Sequence, residues 1–268
     1  TARYEGFLVP HVAWLPGLLQ AYYDAWPRPE EGLLISEGGC ITHLFNPSEF
    51  LASAGSMARN IVFVIDVSGS MDGQKLEDAK AAFTVMIQTL QEQDTVRIHS
   101  FSNSGTEDAW GPEFATATSK TSAVSFVNSL RTIGSTNLND AYLNGISQVY
   151  QSEETVVPIL VILSDGQATT GETSPPSIAR NVRLANEGRR VKIFSLAFGL
   201  GADLDLLLGI SIQNGGIARQ IFEGFEDAVS QMETVFLAEL GSVLLSDINI
   251  HFVAEDGLEL LDSTQLEY

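Results

Sequence analysis

Aspartate and hydroxyl side chains gather at three places in the sequence where a strand or a loop is predicted to end. Asp66, Ser68 and Ser70 follow one apolar run, Asp165 follows another, and Thr136 lies in a loop rich in glycine and hydroxyl groups between them. Two carboxylates and three hydroxyls are hard oxygen donors, which suit Mg²⁺, Mn²⁺ or Ca²⁺ and suit zinc or copper poorly. These residue types therefore predict a site for a divalent cation.

A structural interpretation of the same residues competes with the metal site. Asp and Ser are common helix N-caps, so Asp66, Ser68 and Ser70 could simply cap a helix after a strand. The additional presence of Thr136 and Asp165 favours the metal site. Two more acidic residues each have two possible roles. Asp140 either supports the metal site as an outer residue or lies in the first turn of a helix, where a negative charge interacts favourably with the helix dipole. Asp72 either lies at the rim of the metal site or is an ordinary solvent-exposed acid.

Signatures of nucleotide-binding and hydrolytic enzymes are absent from the sequence. There is no G-x-x-x-x-G-K-[ST] motif, and Gly199-Leu200-Gly201 lacks the third glycine of a dinucleotide fingerprint. No G-x-S-x-G elbow surrounds Ser68 or Ser70, and no histidine lies in these loops to activate them. A phosphatase of the haloacid dehalogenase type would need an aspartate at the position of Ser68. We therefore expect a binding module rather than an enzyme of one of these classes.

Apolar runs and helical patterns alternate from about residue 58 to residue 241. The runs at 60–65 and 156–163 are almost unbroken, which indicates strands buried on both faces, and 74–91 has the spacing of an amphipathic helix. The remaining predicted elements are strands at 96–101, 191–198 and 217–222, and helices near 120–131, 138–151, 176–187, 203–211 and 226–240. This alternation predicts a doubly wound α/β domain with a mostly parallel sheet, whose ligands bind beyond the carboxyl ends of the strands.

The two flanks, residues 1–57 and 242–268, have a different pattern without helix-length periodicity. Short extended pieces are predicted at 6–9, 32–35, 40–45 and 248–252. We expect the two flanks to pair into one small β domain, into which the α/β domain at 58–241 is inserted.

Composition narrows the classes of partner. Asp and Glu total 34 against 14 Lys and Arg, which gives a net charge of −20. Nucleic acid is thereby excluded as a partner, because phosphate binding needs clustered basic residues. A single cysteine, Cys40, excludes an internal disulfide framework and a cysteine-based zinc site.

No stretch of the sequence approaches the roughly 20 apolar residues that a membrane span needs. The chain begins at Thr1 without Met, so we expect it to be a piece of a longer protein.

The span 58–241 resembles von Willebrand factor type A domains. Asp66-Val67-Ser68-Gly69-Ser70, together with Thr136 and Asp165, is similar to the metal-ion-dependent adhesion site of that family. Further segments resemble the inter-alpha-trypsin inhibitor heavy chains in particular: Val62–Met71, Phe194–Gly199, Gly216–Glu223 and Leu244–Asp247. The heavy chains also resemble an A domain embedded in a β domain, which agrees with the pairing expected of the flanks.

The resemblance implies a role for each residue of the site. Ser68, Ser70 and Thr136 would bind the metal directly, and Asp66 and Asp165 would hold it, often through water. The sixth coordination position would then accept an Asp or Glu of an extracellular or matrix protein, which implies a secreted adhesion module. Two alternatives remain open: a structural domain that the metal merely stabilises, and a Mg²⁺-dependent phosphoryl hydrolase that uses the same pocket.

Overall fold

The computed structural model describes residues 33–37, 40–44, 57–149 and 156–222. The chain divides into two compact units, Thr1–Gly55 and Ser56–Tyr268.

The first unit contains an antiparallel pair of strands. Strand β1 (Leu33–Glu37) pairs with β2 (Cys40–Leu44), with Leu33 opposite Leu44 and Glu37 opposite Cys40. Two of the extended pieces predicted in the N-terminal flank are therefore strands. The pieces at 6–9 and 248–252 lie outside the described residues, so the pairing between the two flanks stays a prediction.

The described residues of the second unit form a six-stranded sheet in the order β5-β4-β3-β6-β7-β8. Its strands are β3 (Ala58–Asp66), β4 (Thr95–Phe101), β5 (Ala109–Phe114), β6 (Val156–Ser164), β7 (Lys192–Phe198) and β8 (Ala218–Ile221). Every neighbouring pair is parallel except β4 and β5, which are antiparallel. The predicted doubly wound, mostly parallel α/β fold is confirmed.

The helices of the second unit follow the predicted positions closely. They are α1 (Gln74–Thr89), α2 (Ala117–Ser129), α3 (Leu138–Val149), α4 (Pro175–Asn186) and α5 (Leu204–Gln213). Helix α2 begins earlier than predicted because the Thr116 side chain caps it, accepting a hydrogen bond from the Ser119 N–H at 3.3 Å. The helix predicted at 226–240 lies outside the described residues. Within the described part of the chain, every helix is too short or too polar to cross a bilayer.

Two apolar layers enclose the central strand β3. Ile61, Phe63 and Ile65 pack into one layer, where the Phe63 and Phe83 rings meet edge to face with centroids 5.4 Å apart. The intervening Val62 and Val64 pack into the other layer, which includes Tyr142 and Ile146. Successive side chains of a strand point to opposite faces, so a strand covered on both sides must be apolar throughout. This explains why the run at 60–65 has no alternation.

Strand β5 is the one element of the described sheet that the sequence does not predict. Its segment, Ala109–Phe114, contains Gly111 and Pro112 and is largely exposed. It forms a strand because it pairs with β4 at the sheet edge, with a register shift between Val96 and Ile98. Proline and glycine argue against a strand in a local pattern, but an edge position tolerates both.

A buried ion pair between Arg59 and Asp94 lies at the edge of the sheet where strands β3 and β4 begin. The Arg59 guanidinium donates to the Asp94 carboxylate, from Nε to Oδ1 at 3.0 Å and from Nη2 to Oδ2, and neither residue is more than 5% exposed. The same carboxylate accepts from the Gln91 N–H at 2.8 Å, and the Asp94 carbonyl accepts from the Ala115 N–H at 2.9 Å. Asp94 therefore joins β3 to the turn before β4 and to the residue that follows β5.

Candidate metal centre

Asp66 and Asp165 lie at the same end of two neighbouring strands. Strands β3 and β6 are parallel and in register, with Ile65 opposite Leu163. Asp66 is the last residue of β3, and Asp165 directly follows the last residue of β6. The carboxyl ends of both strands therefore place the two predicted carboxylates at one edge of the sheet.

The loop after β3 brings two hydroxyls together. The Ser68 N–H donates to Asp66 Oδ1 at 2.8 Å, which folds the backbone back over the end of the strand. A short 3₁₀ turn at Gly69–Met71 then places Ser70 Oγ 3.0 Å from Ser68 Oγ. Ser68 is buried and Ser70 is exposed, so this pair of oxygens lies between the protein interior and solvent.

The segment that carries Thr136 lies against this loop through main-chain hydrogen bonds. The Gly69 N–H donates to the Gly134 carbonyl at 3.0 Å. Gly134 has a φ of 66°, and a Cβ there would lie only 2.4 Å from Nδ2 of Asn103. The Asn103 side chain occupies that space to accept from the Ser135 N–H at 2.8 Å. Glycine is therefore required at this turn, next to Thr136, which is 3% exposed.

The loop after β6 is joined in turn to Thr136. The Thr136 N–H donates to Thr169 Oγ1 at 2.8 Å, and the Thr136 carbonyl accepts from the N–H groups of Thr169 and Thr170 at 2.9 and 3.2 Å. Asp165 is turned toward its own loop, where its Oδ1 accepts from the Gln167 N–H at 3.2 Å. The five predicted residues thus stand on three loops that are hydrogen-bonded to one another, directly or through Thr136.

The Asp66 carboxylate is the most deeply buried acidic group of the candidate site. It is completely buried, and its Oδ2 accepts from Ser164 Oγ at 2.5 Å while Oδ1 accepts from Ser68. Burial raises the pKa of Asp66 to about 6, against the opposing effect of the hydrogen bonds from Ser164 and Ser68, and the nearby Asp165 adds to the rise. An ionised carboxylate buried next to a second one is costly unless a positive charge accompanies it. A bound cation would offset this cost.

The donor set fits a hard divalent cation. Among the residues that the structure describes, no group of three or more His, Cys, Asp or Glu side chains could hold a metal. The candidate site instead combines two carboxylates with three hydroxyls and contains neither sulfur nor imidazole. Such a set agrees with Mg²⁺, Mn²⁺ or Ca²⁺ and disagrees with zinc or copper.

The structure also places the two acidic residues whose roles the sequence leaves open. Asp140 lies in the first turn of α3, where it accepts from Asn137 Nδ2 at 2.8 Å and from Asn139 Nδ2 at 2.9 Å. Asp72 is exposed and accepts from Thr132 Oγ1 at 2.9 Å. Both carboxylates therefore have partners in the loops that surround the candidate site.

Two residues that support the site are not found by sequence reasoning. Ser164 donates to Asp66 and accepts from the Gly166 N–H at 3.0 Å, and Thr169 accepts from Thr136. Ser164 directly precedes Asp165, so the end of the second apolar run was an available signal. Thr169 has no comparable signal, because only the folded chain brings it to Thr136.

Residues 60–231 match the profile of the von Willebrand factor type A domain. The match covers more than half of the chain, which therefore belongs to the von Willebrand factor type A domain family.

Curated relatives of the chain include several inter-alpha-trypsin inhibitor heavy chains. The chain is 32% identical to heavy chain H4 of Homo sapiens over 89% of its own length, and 38% identical to heavy chain H6 of Homo sapiens over 74%. It spans only 26% of H4 and 16% of H6. Among solved structures, a von Willebrand factor type A protein from Catenulispora acidiphila superimposes with a TM-score of 0.58 at 18% identity, covering 73% of this chain and 43% of that one. That likeness supports the fold alone.

Proposed function

We propose that this chain is a metal-dependent protein-interaction module of an extracellular protein related to the heavy chains. A divalent cation, with Mg²⁺ as the first candidate and Mn²⁺ or Ca²⁺ as alternatives, is held by Asp66, Ser68, Ser70, Thr136 and Asp165. The observation that carries the proposal is the linkage of the three loops bearing these residues at one edge of the sheet.

The two kinds of donor have different tasks in this proposal. Ser68, Ser70 and Thr136 bind the cation as neutral ligands, which leave most of its charge available to a partner. Both oxygens of Asp66 already accept hydrogen bonds, so Asp66 acts on the cation through water, as does Asp165. A carboxylate from an Asp or Glu of the partner completes the coordination, since Mg²⁺ demands six oxygen ligands.

A binding role is favoured over hydrolysis by the surroundings of the hydroxyls. His99 is the one histidine within residues 57–149 and 156–222, and it is buried in β4 with 3% exposure. The Ser68 hydroxyl lies 3.0 Å from Ser70 Oγ and also bonds the Asp66 carboxylate, whose oxygens already accept from Ser164 and from the Ser68 N–H. The ring nitrogens of His99 bond none of these hydroxyls. No imidazole base therefore serves the site within the described residues, and we propose that the domain is not an enzyme.

The relationship to the heavy chains supports an extracellular location and, with it, a class of partner. We propose an extracellular or matrix protein that presents Asp or Glu. The chain's net charge of −20 repels acidic surfaces at long range, whereas a metal–carboxylate bond acts at contact. Metal, and not surface charge, therefore provides the attraction.

Thermal unfolding tests the metal site. Excess Mg²⁺ should raise the melting temperature of the full chain, because the ion binds only the folded state; at about 100 times the dissociation constant the gain is about 2.7 kcal/mol. Asp66→Ala should abolish the rise, and Asp72→Ala, which removes an exposed acid near the same edge, should retain it. A full Mg²⁺ response in Asp66→Ala would show that the metal is bound elsewhere.

Partner capture separates adhesion from a purely structural metal. Matrix or plasma proteins are bound to the immobilised chain in Mg²⁺, in EDTA and in high salt, and the series is repeated with Thr136→Ala. We expect binding that disappears with EDTA and with Thr136→Ala but persists in salt. Partners that survive EDTA and wash off in salt would mean ordinary electrostatic docking.

A further inference from the structure

Two large aliphatic side chains are exposed at the edge of the sheet that carries the candidate metal site. Ile133 is 55% exposed and Leu200 is 83% exposed. Single exposed aliphatic residues are common on protein surfaces, so exposure alone assigns them no role. What they add to the site depends on where they stand relative to the five metal residues.

Ile133 and Leu200 stand on opposite sides of those residues. The Ile133 N–H donates to the Val67 carbonyl at 2.6 Å, which places Ile133 beside the loop after β3. On the other side, Gly201, which follows Leu200, accepts from Gln167 Nε2 at 2.6 Å, in the loop after β6. The Val67 N–H in turn donates to the Phe101 carbonyl at the end of β4 at 2.9 Å, and Leu200 follows the end of β7. The sheet order β4-β3-β6-β7 therefore places the ends of β3 and β6 between the two aliphatic residues, whereas Thr136 lies on the same loop as Ile133.

The charges around this edge limit what a partner can present there. Asp72 and Glu107 are exposed, and Glu172 and Asp203 are partly exposed, so the surroundings of the site are acidic. Arg131 adds one positive charge nearby, where its Nη1 donates to the last carbonyls of α2, including that of Leu130 at 2.8 Å, so it offsets the acidic side chains only in part. A partner segment with several acidic residues is repelled even where one of its carboxylates reaches the metal.

We propose that Ile133 and Leu200 are contact residues on either side of the cation, and that the partner is a protein segment with a single Asp or Glu between apolar side chains and no further acid nearby. This inference rests on the proposed function and specifies its ligand. The carboxylate supplies the metal bond, and the apolar neighbours are buried against Ile133 and Leu200. Specificity comes from the combination, since a carboxylate without apolar neighbours gains the metal bond alone.

A displayed peptide library tests the proposal. Loops with a fixed central Glu and randomised neighbours are bound to the full chain in Mg²⁺ and eluted with EDTA. We expect aliphatic and aromatic residues to be enriched beside the Glu and acidic residues to be depleted. A synthetic peptide of the enriched sequence should lose about fivefold or more in affinity to the double variant Ile133→Ser/Leu200→Ser.

Matched controls use exposed aliphatic residues on the helices. The double variant Leu184→Ser/Ile212→Ser removes side chains that are 51% and 62% exposed on α4 and α5, and it should bind the peptide like the unsubstituted chain. Both double variants should keep the Mg²⁺-dependent rise in melting temperature. Clones that elute with EDTA but show no preference beside the Glu would overturn this inference and leave the proposed function intact. The absence of any clone that elutes with EDTA would overturn both.

Discussion

Thr136 and Thr169 are joined by two hydrogen bonds that run in opposite directions. The Thr136 N–H donates to Thr169 Oγ1 at 2.8 Å, and the Thr169 N–H donates to the Thr136 carbonyl at 2.9 Å. Thr136 is one of the proposed metal ligands, whereas Thr169 belongs to the loop that begins at Asp165. The pair therefore makes the position of one ligand depend on the loop of another.

Removal of the Thr169 hydroxyl should weaken metal binding without unfolding the domain. Thr169→Val keeps the shape of the side chain but leaves the Thr136 N–H without its acceptor, at a cost of about 1–3 kcal/mol. We expect a lower affinity for Mg²⁺, measured by titration calorimetry. Thr170→Val is the control, because the described hydrogen bond of Thr170 to Thr136 uses its main chain. Equal Mg²⁺ affinities in the two variants would contradict the role of Thr169.

Asp66→Asn should stabilise the metal-free chain and abolish its response to Mg²⁺. The folded-state pKa of about 6 lies above the ordinary value of 3.8, so the fold carries the full penalty of the ionised carboxylate at every pH above about 6. A neutral amide removes this penalty, and we expect a gain of about 1–3 kcal/mol at pH 7.5 in EDTA. Urea unfolding measures the gain, with the exposed Asp72→Asn as a control that should show no change. A loss of metal-free stability in Asp66→Asn would refute this account.

His99 should make the fold less stable in mild acid. Neither of its ring nitrogens has a hydrogen-bond partner in the described part of the chain. Burial, and to a smaller extent Arg97, lowers the pKa of His99 to about 4, below its ordinary value of 6.5. The unfolded chain therefore binds the proton first, so this contribution to stability is complete above pH 6.5 and is lost as the pH falls toward 4.

The expected loss from His99 between pH 7.5 and pH 5 is about 2 kcal/mol. Asp66 acts in the opposite direction over the same range, because its raised pKa favours the fold as the pH falls. The measurement is therefore the difference between the unsubstituted chain and His99→Leu in urea unfolding, both in EDTA, where the Asp66 contribution cancels. Parallel pH profiles for the two proteins would show that His99 does not titrate in this way.

Asp94→Ala should be among the most destabilising single substitutions and should leave the metal site intact. It removes the carboxylate that pairs with the buried Arg59 guanidinium, and breaking a buried ion pair from one side costs about 3–5 kcal/mol. Arg59→Met/Asp94→Leu removes both charges and should recover part of the loss. Since Asp94 precedes β4 and the metal residues follow the ends of β3 and β6, both variants should still melt at a higher temperature in Mg²⁺ than in EDTA. Loss of that difference would mean that the two ends of the sheet are coupled.

The central strands were predictable because their environment leaves the sequence little choice. A strand covered on both faces has to be apolar throughout, and the almost unbroken apolar runs at 60–65 and 156–163 meet this requirement. Strand β5 was not predictable, because it is covered on little of its surface and forms by pairing with β4. Its Gly111 and Pro112 are tolerated by an edge position that a local pattern does not reveal.

The same distinction applies to the candidate site. Asp66 and Asp165 could be placed together from sequence, because parallel neighbouring strands end at one edge. Ser164 was within reach of the same argument, because it ends the strand beside that of Asp66. The contact of Thr169 with Thr136 could not be predicted, since it joins segments that are distant in sequence and depends on the path of a loop. The sequence therefore indicates the polar groups at the strand ends, but not the loop residue that holds Thr136 in position.

The loops at the carboxyl edge are held to one another largely by main-chain groups, and this bears on how such a module diverges. Gly69 bonds the Gly134 carbonyl, Ile133 bonds the Val67 carbonyl, and the Asp203 N–H donates to the Asp165 carbonyl at 2.8 Å. A main-chain bond is indifferent to the side chain beside it. Natural variation can therefore replace the residues that face solvent on these loops while their paths stay the same. A lineage that inherits this framework can change what it recognises without first having to rebuild the scaffold.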